Sequence, residues 1–121
     1  MDPTRVSSKL PIWKSEWQDV IDLAMKQMKR SCDLSQQLDL ETLWVEFLSL
    51  LYPNTPAISL IEGWAAALEY LIAKMHRHSV TYEAIAERYG VSASTVRRYV
   101  SRIDEVCSVR EKMETIFPSV Q

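Results

Sequence analysis

The chain has only two glycines in 121 residues, and its five prolines fall outside the stretches with regular apolar spacing. A β-rich domain needs many glycine-bearing turns, so this scarcity argues for long helices. Cysteine is equally sparse. Cys32 and Cys107 lie far apart and make no metal-ligand spacing, so they read as idle thiols in a reducing compartment rather than as a disulfide. No run approaches the ~20 apolar residues of a membrane span, and no membrane partner is expected. The amino-terminal Met-Asp-Pro-Thr-Arg lacks an apolar signal region, which makes a cytoplasmic protein the expectation. Gly63 and Gly90 alone cannot build a phosphate-binding loop, and no serine or cysteine sits in a nucleophile motif. His76 and His78 straddle a predicted helix end and point apart, which sets a metal site aside. The expectation is a protein that is not an enzyme and needs no metal or cofactor.

The material that is present is 47% hydrophobic and 25% charged, the balance of an ordinary globular domain. At this length one core is the default, and four tryptophans and five tyrosines supply large pieces to fill it. The fold class expected is all-α: a compact domain of five to six helices with a helix-turn-helix in its C-terminal half. The expected division is a flexible N-terminus over 1–10, one helical domain over 11–117 and a tail over 118–121.

Apolar spacing places the helices. Trp13, Trp17, Val20, Ile21, Ala24 and Met28 form one stripe of a helix over about 12–31, with Ser15 and Gln18 at capping-box spacing near its start. Leu40, Leu43, Trp44, Phe47, Leu48 and Leu51 form a second, with Asp39 as N-cap and Pro53 as the stop. Thr55-Pro56 has the form of an N-cap followed by a first-turn proline, so a third helix is expected from there to about His76 or Arg77. Its run Gly63-Trp64-Ala65-Ala66-Ala67 marks it as the central helix, because small residues admit a close neighbour. Val109, Met113, Ile116 and Phe117 have the spacing of a short closing helix.

The acidic overall charge of −2 hides an asymmetry. Residues 1–73 hold six Lys/Arg against ten Asp/Glu, residues 74–102 six against two, and residues 103–121 two against four. A basic segment inside an acidic chain is what phosphate contact requires, since the charge must be local.

That segment contains Thr81-Tyr82-Glu83-Ala84-Ile85-Ala86-Glu87-Arg88-Tyr89-Gly90-Val91-Ser92 and continues Ala93-Ser94-Thr95-Val96-Arg97-Arg98-Tyr99-Val100-Ser101. Thr81 is suited to cap a short helix, Ala86 to admit a crossing helix, Gly90 to end the first helix in a left-handed conformation, and Ser92 to cap the second. Ile85, Tyr89, Val91, Val96 and Tyr99 are the residues expected to lock the pair together. The pattern resembles the helix-turn-helix of transcription regulators, here over 81–106. The resemblance implies a recognition helix from Ala93 that enters the major groove of double-stranded DNA. Ser92, Ser94, Thr95, Arg97, Arg98, Ser101 and Arg102 are its candidate DNA contacts. Arg77, His78, Thr81 and Tyr82, at the start of the motif's first helix, are candidate phosphate contacts. Asp104 and Glu105 would repel phosphates near its far end.

More widely, residues 55–103 are similar to one cyclin-like repeat of the transcription factor IIB kind. Trp64 to Leu71 stand for its alanine-rich third helix, and Glu83-Ala84-Ile85-Ala86 with Gly90-Val91-Ser92 for the helix pair that follows. The chain has room for one repeat and lacks zinc-ribbon cysteines, so the likeness implies a shape and a DNA-facing surface rather than that family's role. Two readings result. One is a DNA-binding transcriptional regulator, expected to act as a homodimer because one helix reads few base pairs, with RNA as a variant ligand. The other is a helical protein-interaction module, cyclin-like or dimerising, with a protein partner and no nucleic-acid contact.

Overall fold

The computed structural model describes residues 10–28 and 33–108, which form five α-helices. The first, α1, spans Ser15–Met28 and buries Trp17, Val20, Ile21, Ala24 and Met28, the stripe expected from spacing. It begins later than Ile12, because the backbone N–H groups of Trp17 and Gln18 donate to the Lys14 carbonyl. Ser15 is therefore inside the helix rather than its cap. Gln18 is occupied elsewhere: its amide oxygen accepts from Trp13 Nε1, and its amide nitrogen donates to Asp22, both at 2.9 Å.

The second helix, α2, spans Leu34–Leu51 and so starts well before Leu40. Asp33, not Asp39, is the N-cap. Its carboxylate accepts from the Gln36 backbone N–H while the Gln36 side chain accepts from the Asp33 N–H, each at 3.0 Å. This reciprocal pair satisfies two of the donors that every helix start leaves open. The apolar period did not extend so far because Leu34 and Leu38 are exposed. Asp39 lies within the helix, where its carboxylate meets His76 Nε2 at 2.7 Å. The stop before Pro53 is as expected.

The third helix, α3, spans Ile61–Met75. Thr55-Pro56 does not start it. Residues 55–60 are non-helical, and the Leu60 carbonyl accepts from Gly63 and Trp64 instead. A side-chain cap stabilises a helix by only about 1 kcal/mol, whereas Ile58 in this stretch packs against the core. The fourth and fifth helices, α4 over Tyr82–Tyr89 and α5 over Ala93–Cys107, are joined by a tight turn. The sixth helix expected at Val109 to Phe117, and Cys32, lie outside the described residues. Cys107 is a buried free thiol.

The helix α3 packs against all four others, and ten of its 15 residues are buried. Rings run through the core from α2 to α5. Trp44 and Phe47 lie 5.7 and 5.5 Å from Trp64, and Trp64 stacks on Tyr99 at 4.3 Å. Gly63 makes the last contact feasible, because a Cβ there would lie 2.4 Å from Tyr99 Cε2. Alanine is the better helix former by about 1 kcal/mol, but overpacking costs roughly 1–3 kcal/mol. We expect Gly63→Ala to destabilise the protein by about 1 kcal/mol in urea titrations. In a Tyr99→Ala background the same change should be neutral or stabilising, and an equal loss in both backgrounds would refute the steric account.

Candidate nucleic-acid interface

The turn between α4 and α5 follows from its residues. Thr81 in extended backbone accepts the Ala84 N–H on its hydroxyl at 3.1 Å and caps α4. Gly90 ends α4 at φ 71°, the left-handed region that costs residues with a Cβ about 1–2 kcal/mol. The Val91 N–H then returns to the Ala86 carbonyl at 3.0 Å and the Gly90 N–H to that of Glu87 at 3.3 Å, closing the helix end. Ser92, extended again, accepts the Thr95 N–H at 3.1 Å and opens α5. Ile85, Tyr89 and Val96 are buried and Val91 and Tyr99 half-buried against the core, so all five expected locking residues pack inward.

A contact absent from the sequence reading joins this unit to α3. Glu69, buried at 4% exposure among apolar neighbours, accepts from Tyr89 Oη at 2.6 Å and from the Arg88 guanidinium. A carboxylate in so apolar a run must be partnered, because burying a lone charge is prohibitive. That run, Trp64 to Ala73, was the available signal.

On α5, Val96, Val100, Ile103 and Cys107 face the core. Ser94, Arg97, Arg98, Ser101 and Arg102 are exposed, as is Ser92, while Thr95 is half-buried with its hydroxyl 2.8 Å from that of Ser92. Asp104 is half-buried and Glu105 exposed. The structure thus brings the candidate contacts onto one outward surface, with Ser92 and Thr95 also engaged in capping. The four candidates before α4 separate. His78 is exposed, with its ring 3.3 Å from the Gln36 amide nitrogen on α2, and Thr81 serves as cap. Arg77 is exposed and holds a left-handed φ of 63° after α3. Tyr82 is half-buried under Arg97, whose Cζ lies 5.1 Å from the ring centre.

Removing only the hydroxyl in Tyr89→Phe should lower stability by about 1.5–3 kcal/mol, the range for a hydrogen bond to a charged group. Urea unfolding checks this, and a change under 0.5 kcal/mol would show that Glu69 does not depend on Tyr89.

Among the described residues no helix is long and apolar enough to cross a membrane. No curated protein and no solved structure matches the chain. A family model described as the helix-turn-helix domain of transposase family ISL3 matches residues 66–104, about a third of the chain. The match takes in most of α3 with α4 and most of α5, so α3 serves as the first helix of a three-helix unit. Over those residues the protein carries a helix-turn-helix domain similar to that of the ISL3 transposases.

Proposed function

We propose that the protein binds double-stranded DNA by inserting α5 into the major groove, and that it acts as a transcriptional regulator. The observation that carries this reading is the capped turn, which fixes α5 with Ser94, Arg98 and Ser101 on its outward face. Arg98 suits bidentate contact with guanine, the serines suit bases or phosphates, and Arg97 and Arg102 flank them toward the groove walls. The likeness to a transposase helix-turn-helix supports DNA as the ligand. It also favours a second role on the same surface, docking on the ends of a mobile element. Sequencing of genomic fragments retained by the protein separates the two roles, as promoter regions against element ends. The cyclin-like likeness remains an expectation with which five helices agree.

An interaction module without nucleic acid is the competing reading, favoured by the exposed Leu34, Leu38 and Leu50 on α2. Fluorescence anisotropy with a mixed-sequence duplex at low and physiological salt distinguishes them. Wild type should bind with strong salt dependence. The Arg97→Ala/Arg98→Ala variant should lose at least about tenfold, each good arginine–base contact contributing roughly 1–3 kcal/mol. Absence of wild-type binding at low salt would sink the DNA reading and favour the exposed leucines as the working surface.

A further inference from the structure

Four side chains from three helices form a ladder beside α5. Tyr70 on α3 and Tyr82 at the start of α4 stack with ring centres 4.3 Å apart and planes 12° from parallel. Lys74, one turn after Tyr70, holds its Nζ 5.9 Å from the Tyr70 ring centre. Arg97 covers Tyr82. Both cations are exposed and both tyrosines half-buried, so the ladder reaches the surface at its charged ends.

The chemistry differs from that of Arg88, whose guanidinium is engaged by the Glu69 carboxylate. An aromatic face orients a cation without neutralising it, and it leaves the N–H donors at the ring's edge free to bind an anion. The ring contact also restrains a long side chain in advance, so less rotamer freedom is lost on binding. Two such cations on one rigid stack, in the segment of net positive charge, suit an anion with repeated charges.

Resting on the reading of α5 as the DNA-facing helix, we propose that Lys74, Tyr70, Tyr82 and Arg97 form a contact strip for the phosphate backbone of duplex DNA. The strip extends the interface from α5 back onto α3. It divides the labour of the adjacent arginines. Arg97, at the flank of α5 and tied to Tyr82, grips phosphate in any sequence, whereas Arg98 on the outward face reads bases. Lys74 thereby becomes a DNA contact outside the two helices of the helix-turn-helix.

The test measures affinity for a fluorescein-labelled mixed-sequence duplex across a salt series for wild type, Lys74→Gln, Arg97→Gln and Lys26→Gln. Lys26 is exposed on α1 and controls for the change in total charge. Circular dichroism confirms that each variant folds, as substitutions at exposed positions should. Lys74→Gln and Arg97→Gln should each reduce the slope of log affinity against log salt by about 0.9, the value for one phosphate contact. They should weaken binding to unrelated duplexes by the same factor, and Lys26→Gln should leave the slope unchanged. If wild type binds but Lys74→Gln matches it, or Lys26→Gln loses as much, the strip is overturned while α5 remains the DNA-facing helix. If wild type binds no duplex, both fall together.

Discussion

The burial of α3 on almost every side is the constraint from which the rest of the arrangement follows. A helix touched by four others can carry bulk only where a neighbour leaves room. Its sequence therefore alternates one large ring, Trp64, with Gly63 and the alanines from Ala65 to Ala67. The absent Cβ of Gly63 lets Tyr99 lie on Trp64, and this stack ties α5 to the same aromatic core that holds α2. Glu69 is the exception in this apolar surface, and its two partners are consecutive residues at the end of α4. The interior helix thus holds both halves of the helix-turn-helix, α5 by ring stacking and α4 by a buried carboxylate. A helix that presents arginines to a groove must be held from behind, because a small misplacement of the donors forfeits bidentate geometry.

Between those two anchors the turn itself is set locally. Thr81, Gly90 and Ser92 each satisfy backbone groups within a few residues, which is why these three were legible from spacing alone. The caps of α2 and α3 were less so. Asp33 and Asp39 are equally good caps in isolation, and the reciprocal bond to Gln36 selects the first while His76 engages the second. Thr55-Pro56 carries a correct local signal that burial of Ile58 overrides. Local chemistry could be read; competition between a local signal and a distant contact could not.

The same division holds at the site. The exposed face of α5 was readable because 3.6-residue periodicity separates Val96, Val100 and Ile103 from Ser94, Arg98 and Ser101. The pairing of Tyr70 with Tyr82 was not, since it joins residues on two helices with no periodic relation. Glu69 stood between: its type and its apolar surroundings announced a partner, but nothing in the spacing named Tyr89 and Arg88.

The placement of charge explains how an acidic chain can present a cationic surface. Arg88, the basic residue that closes α4, is drawn to Glu69 and contributes to structure. Lys74, Arg97 and Arg98 rest on tyrosine rings instead, at 5.9, 5.1 and 5.4 Å. A carboxylate partner would have lowered the local potential and occupied the donors, whereas a ring fixes position and leaves both intact. The acidic residues of α1 and α2 sit on other elements, and at physiological salt their field is largely screened beyond about 8 Å. Total charge is therefore a poor guide for this protein, and the choice between carboxylate and aromatic partners for each cation is the better one.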